Sequence, residues 1–459
     1  MCRVNRTETL YTHEEVTKNI DEKGRMLLIY DGKILDVTKF AAHHPGGELV
    51  MQHAMHRDAT ALIRVFHRDD VIEKKLPSFV VGTLDPASAA LQTKGQKFQP
   101  TIDQDFLRLY KTIESNGWFR TNMWYYYTLW ARLAVIFATF VALVLYGPNH
   151  FASYMVAAFI NGVFFHQSAF VGHDTGHAGI TQNLKMDNII GLIFGNALGG
   201  ISMAWWKKTH YVHHVATNHP EHDPDIQLLP IFAVTSKLLG NLYSTYHKRI
   251  MHFDKVGEFL VSIQHFLYYP IMAVARFNLY AQSLLLLAFD EKVLWREWEI
   301  AALGVFYTWL TLLVMQLPDL FTMVCYVFLS HAVTFLLHIQ FTLSHFAMCT
   351  EEFGQDGEPF CAHQLRTTMD VDCPPWMDWF HGGLQFQVEH HLFPRLPRHN
   401  LRKIMPLVKE FCKKHGLPYH THTFVQGNRI VVGGLRDVAN HVGLLMEASA
   451  AEAKRMKVH

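Results

Sequence analysis

The sequence predicts an α-helical integral membrane body of about four transmembrane helices, with interfacial helices and a cytosolic helical cap, behind a small α+β N-terminal domain. Three observations predict it. Half of the 459 residues are hydrophobic and only 18% are charged, below the roughly 25% of soluble domains. Four apolar segments, 125–146, 151–172, 299–317 and 320–344, have the length needed to cross a hydrocarbon core of about 30 Å. The first 85 residues are instead soluble in character. A formal charge of +1 gives no case for nucleic acid as a partner.

Taken in order, 1–85 forms the small domain, with strands over 26–30 and 34–37 separated by the turn Asp31-Gly32. Residues 86–122 form a linker and lead-in helix. The stretch to about 100 is rich in Ala, Ser, Gln and Lys, and in 101–122 Phe106, Leu107, Leu109, Tyr110 and Ile113 interleave with charges. The body occupies 123–459. Its first span carries one charge, Arg132, and the chain returns after Gly147-Pro148-Asn149-His150; the second pair is joined near Pro318-Asp319. Two further apolar stretches are less clean. Residues 188–205 are Gly-rich and 259–289 are broken by Pro270 and Arg276, so both are expected to be interfacial or re-entrant. The polar, charged N-terminus is not read as a signal peptide. Six cysteines without CxxC pairing read as reduced thiols.

The chemistry-bearing residues are histidines in three tight groups: His173 and His177 in HDTGH, His210, His213 and His214 in HYVHH, and His390 and His391 in QVEHH. On a helix, positions i, i+3 and i+4 share a face, so each group can aim its imidazoles at a common point. Neutral imidazole suits iron, copper, zinc and nickel, and so many donors point to a polynuclear metal site. Two crossings bring the chain back to its starting side just before His173, and two more just after Ser344. The N-terminal domain, all three groups and the C-terminus then share one side. The links at 147–150 and 318–319 lack Lys and Arg, whereas 207–208, 402–403 and 413–414 are basic, which places that side in the cytosol.

Residues 44–47 read His-Pro-Gly-Gly, and His67 follows in Val-Phe-His. With 30–37 before the motif and Phe79-Val80-Val81-Gly82 after it, residues 1–85 resemble cytochrome b5. The resemblance implies haem b gripped by His44 and His67, and two imidazoles on one iron suit electron transfer rather than oxygen binding. His43 is the adjacent competitor for the haem. His53 and His56 are expected to be exposed.

The three histidine groups resemble the histidine boxes of membrane fatty-acyl and sphingolipid desaturases, and a b5-like domain fused to such a body is the layout of the front-end branch. That branch has Gln in place of the first His of the third box, as Gln387 stands here. Residues 200–207 before box two and 380–386 before box three agree as well. The resemblance implies two non-haem irons held by His173, His177, His210, His213, His214, His390 and His391, with one more ligand from the last transmembrane helix. His345 fits that place and His338 is the weaker candidate. Gln387 could ligate, bridge through water, or orient a neighbour. Asp174 and the acids of 219–225 could orient imidazoles, or the latter could be a polar loop. Trp205, Trp206, Trp376 and Trp379 read as interfacial anchors.

By the same resemblance, the protein is an oxidoreductase of the endoplasmic reticulum membrane. NADH electrons would pass through a separate cytochrome b5 reductase to the haem and then to the irons, with O2 as co-substrate. The strings 218–227 and 392–403 look most like fungal Delta-8 sphingolipid desaturases, and Delta-6 or Delta-5 acyl-lipid desaturases are the alternative. A lipid hydroxylase, a membrane zinc hydrolase and a bare haem carrier are the competing classes.

Overall fold

A computed structural model of the protein describes residues 9–17, 24–88, 101–350 and 358–456. Most of the linker, 89–100, lies outside them.

The N-terminal domain is built on a four-stranded sheet in the order β1-β4-β3-β2, with β1 Leu10–Tyr11, β2 Leu27–Tyr30, β3 Lys33–Asp36 and β4 Val80–Leu84. The β2–β3 hairpin turns at Asp31 and Gly32, both at positive φ (48° and 70°), the backbone that a tight two-residue hairpin requires. Helices α1 (Glu48–Ala54) and α2 (Thr60–Phe66) lie between β3 and β4. Helix α3 (Thr101–Ser115) follows, burying Ile102, Phe106, Tyr110 and Ile113 on one stripe, the i, i+4, i+8, i+11 spacing of an amphipathic helix.

The apolar body starts with α4 (Met123–Tyr146) and α5 (Phe151–Gly176). Asn122 caps α4 by accepting from the Trp124 N–H at 3.1 Å, and His150 caps α5 by accepting from Ala152 at 3.2 Å. These caps satisfy amide donors that a helix start leaves open. The Gly-rich stretch after α5 does not cross. It runs as a helix to Ala197, reverses at Gly199-Gly200 and enters α6 (Met203–Val215). The buried Glu299 carboxylate secures that reversal, accepting from Asn196 (2.6 Å), Ser202 (2.7 Å) and the Ala204 N–H (3.1 Å).

Residues 259–289 correct the expectation of a broken segment. A helix α7 (Gln264–Phe289) runs through both Pro270 and Arg276. Pro270 lies past the first turn, so the helix continues with one intrahelical bond missing there. Arg276 is fully enclosed by protein: it donates to the Tyr280 hydroxyl (2.8 Å) and the Gly199 carbonyl, and its guanidinium lies 4.4 Å from the Phe165 ring centre. Together with α8 (Arg296–Val314) and the run α9 (Leu320–Ala332) plus α10 (Phe335–Phe346), five helical stretches among the described residues are long and apolar enough to cross a membrane. The predicted continuous span 320–344 is interrupted at Val333-Thr334, where the Thr334 hydroxyl turns back onto the His331 carbonyl at 2.6 Å.

Three of those stretches separate His214 from His390, yet the two imidazoles lie 3.1 Å apart. In a bilayer only an even number of the three can cross. Both ends of α7 are tied to the histidine side, Gln264 to Ala233 and Leu435, and Asp290 to Lys208 at 2.8 Å. Helix α7 is therefore the one that does not traverse, and four crossings remain. The cap consists of a short helix α11 (Gln387–Leu392), α12 (Arg398–His415) and the long α13 (Phe424–Met456).

Helices α5 and α9 approach closely at Gly162, where an added Cβ would stand 2.5 Å from Val333 Cβ and 2.7 Å from the Ser330 carbonyl oxygen. Small residues at such contacts let membrane helices pack backbone to backbone. Gly162→Val should destabilise the body by about 1–3 kcal/mol through overpacking, read as a lowered thermal midpoint in detergent; an unchanged midpoint would contradict this packing.

Candidate metal and haem sites

The seven predicted box histidines come together, carried by the end of α5, by α6 and by α11. Helix α5 delivers His173, and His177 caps its end. The i, i+3, i+4 pattern of His210, His213 and His214 puts all three on one side of α6. Among the described residues, two donor groups made of histidine alone form. His173, His177, His210 and His390 place ligand atoms within 4.8 Å of one another, and so do His213, His345 and His391. His214 lies between them: its Nε2 is 3.0 Å from His210 Nε2 and 3.1 Å from His390 Nε2, and its ring stacks on His391 at 4.2 Å. His345 meets His213, Nε2 to Nε2, at 3.3 Å. His338 does not join either group; its Nδ1 lies 2.8 Å from the Met272 carbonyl. Gln387 is buried and lines a small cavity with His173, His177 and His390.

The donor set fits two metal ions. The Nε2 atoms of His173, His177 and His391 are buried without a hydrogen-bond partner, an arrangement that costs free energy unless something binds there. Burial first, then mutual repulsion, pushes His177, His210, His214, His390 and His391 well below the ordinary histidine range, which keeps their lone pairs free of protons. His213 is the exception. Burial alone would lower it, but Asp223 (2.9 Å from Nδ1) and Asp225 hold it up to about 9. A proton held at Nδ1 by Asp223 turns Nε2 towards His345 and the metal position.

Three other rings are also oriented from behind. His391 Nδ1 lies 2.8 Å from Gln364 Oε1, whose amide nitrogen donates to the His214 carbonyl at 3.0 Å. His345 Nδ1 lies 3.3 Å from the Thr367 carbonyl. Asp174 faces His173 (3.7 Å) while accepting from Arg398 Nε and the Tyr126 hydroxyl, both at 2.7 Å. Sequence reading raised Asp174 and the 219–225 acids but missed Gln364 and Arg398, whose flanking residues carry no metal-ligand spacing. Trp206 corrects another expectation: it packs over the cluster, 4.2 Å from the His210 ring, rather than at an interface, whereas Trp376 and Trp379 are exposed.

In the small domain His44 and His67 face each other with ring centres 5.9 Å apart. Each Nδ1 is engaged locally, His67 at the Ile63 carbonyl (3.0 Å) and His44 at the Gly46 N–H (3.2 Å). That leaves each Nε2 for an iron between them. Gly47 takes φ +94°, open to glycine, and a Cβ at Gly46 would stand 3.0 Å from the His44 ring. Glycine at these positions thus leaves the His44 ring free to face His67. His53 and His56 are not exposed: His53 packs on His222 (4.4 Å), and His56 Nδ1 lies 3.0 Å from the Val16 carbonyl.

This combination defines a membrane oxidoreductase with a haem-binding domain joined to a histidine-rich two-metal body. The chain belongs to the fatty acid desaturase family, which it matches over residues 149–423, and carries a cytochrome b5-like heme/steroid binding domain over 12–85. It is 37% identical to the Delta 8-(E)-sphingolipid desaturase of Komagataella phaffii, covering 95% of this chain and 94% of that one. The enzyme of the same name from Emericella nidulans is 35% identical over 94% and 95%. Delta(8)-fatty-acid desaturase 1 of Arabidopsis thaliana is 39% identical over 95% and 96%.

Two predictions follow from this geometry. Asp223→Asn should weaken iron binding about 10–100-fold by releasing His213; metal analysis showing full iron content would contradict that role. Acid should destabilise the metal-free protein. Depressed histidines take up protons only on unfolding, so their penalty grows as pH falls below 6.5, whereas the contribution of His213 is complete below 6.5 and fades as pH rises through about 9. Five depressed groups outweigh one raised group, and the thermal midpoint should fall between about pH 7.5 and about 5.5. A midpoint that rises over that interval would refute the assignment.

Proposed function

We propose that the protein inserts a double bond at Delta-8 of a sphingolipid long-chain base within ceramide, in the endoplasmic reticulum membrane with the histidine groups facing the cytosol. The observation that carries this reading is the juxtaposition of two buried imidazole groups, bridged by His214, with a paired-histidine haem site in one chain. Fungal relatives bearing the sphingolipid desaturase name cover nearly all of it.

His173, His177, His210, His213, His214, His345, His390 and His391 hold the two irons, Gln387 lies beside the first group, and His44 and His67 hold haem b. Bound iron supplies an oxidant able to take hydrogen from an unactivated methylene. The protein contributes neutral, oriented imidazoles in a site enclosed by Trp206 and the cap. Asp223 keeps a proton on His213 Nδ1, and Arg398 fixes Asp174 behind His173. Overall, two adjacent methylenes lose two hydrogens, O2 is reduced to two waters, and two electrons and two protons are consumed. Those electrons come from NADH through a separate cytochrome b5 reductase and enter at the haem. Residues 1–85 serve as the electron donor, 86–122 as connection and 123–459 as the lipid-modifying body.

The Arabidopsis relatives, named as fatty-acid desaturases, favour an acyl chain as the second reading. Expression in a yeast lacking sphingolipid desaturation, followed by mass spectrometry, distinguishes them. New double bonds in long-chain bases are expected. Unsaturation confined to acyl chains would overturn the substrate, and hydroxylated products would overturn the reaction. His213→Ala should abolish the new double bond, and His44→Ala should abolish the haem absorbance as well.

A further inference from the structure

We propose that the haem-binding domain sits on the body in one fixed seat, with Phe66 as the contact through which electrons leave the haem side for the histidine cluster. The inference rests on reading that domain as the electron source. Phe66 immediately precedes His67, and its ring meets His214 edge-on, with centres 6.0 Å apart at 84°. His214 lies between the two donor groups, touching His210 and His390 of one and His391 of the other. From the haem ligand to the metal ligand the path is one peptide unit and one ring contact. On the His44 side, a Cβ at Gly46 would reach the Tyr211 ring at 3.6 Å, and that ring lies 6.0 Å from His177. Aromatic side chains from both partners thus line the contact between the two histidine sites.

The seat is not a loose encounter. Ala54, Ala61, Leu62 and Val65 of the small domain belong to the same buried core as Phe393 and Leu392 beside His391. Arg395 donates to the Val65 carbonyl (3.0 Å) and the Tyr110 hydroxyl (2.9 Å), and Arg68 to the Gln182 carbonyl (3.0 Å). A tether alone would raise the local concentration of the donor; a shared core also selects one orientation. Each transfer oxidises the haem iron by one electron and reduces the iron pair by one. Two transfers serve each double bond, and the reductase replaces them at the haem.

The test uses the full-length protein loaded with haem and iron, its haem reduced beforehand, and follows haem reoxidation by stopped-flow absorbance after mixing with oxygen and ceramide. Phe66→Leu should leave haem content and the visible spectrum unchanged while slowing reoxidation on the order of ten- to a hundred-fold. An unchanged rate with an intact spectrum overturns the proposal. If Phe66→Leu loses haem, a second protein decides: Arg395→Ala, which removes the bond to the Val65 carbonyl, should slow reoxidation with haem content intact, and an unchanged rate with intact haem overturns the fixed seat. Wild-type haem that is not reoxidised at all would overturn the functional reading and this proposal with it.

Discussion

Everything in this molecule answers to one constraint: many buried imidazole nitrogens must converge without protons to share. His210, His214 and His390 approach within 3.0–3.1 Å through Nε2, a contact in which at most one member can donate. Such a cluster is tolerable where cations take the lone pairs and groups behind the rings keep them aimed. Asp223, Gln364 and the Thr367 carbonyl do this for His213, His391 and His345. The ligands come from segments far apart in the chain, so the topology of the body is bound by the same demand.

That demand explains the architecture around it. The re-entrant hairpin anchored by Glu299, the non-traversing α7 and the even number of crossings between His214 and His390 all return the chain to one side. Arg276 shows how an ionised side chain survives within an otherwise apolar segment. It spends its donors on a carbonyl and a hydroxyl and lays its plane over aromatic rings, facing protein rather than lipid. The N-terminal domain shares a buried core with the cap, in which Ala61 and Val65 cluster with Leu392 and Phe393.

Much of the site was legible in local spacing. The HYVHH pattern puts three imidazoles on one side of α6 whatever surrounds it, and His-Pro-Gly-Gly with His67 marks a haem pocket by backbone shape. Orienting groups were legible only where they are close in sequence, as Asp223 and Asp174 are. Gln364 and Arg398 reach the cluster across long separations and are ordinary residues where they stand. Trp206 was misread because an aromatic at the border of an apolar segment looks the same from sequence whether it meets headgroups or imidazoles. The apolar stretch 259–289 was misread because Pro and Arg break an isolated helix but not one whose polar groups find partners elsewhere.

By itself, the sequence determined the elements and the chemistry: apolar spans of sufficient length, a haem motif, three histidine groups and the glutamine before the last of them. These depend on period, length and residue type, which act over a few turns of chain. Only the tertiary structure decided which histidines converge, that His345 and not His338 lies against His213, that 264–289 forms one unbroken helix, and where the N-terminal domain rests. Those outcomes depend on contacts between residues more than a hundred positions apart, such as His214 with His390 and Arg395 with Val65, and no local pattern encodes which distant surface a side chain will meet.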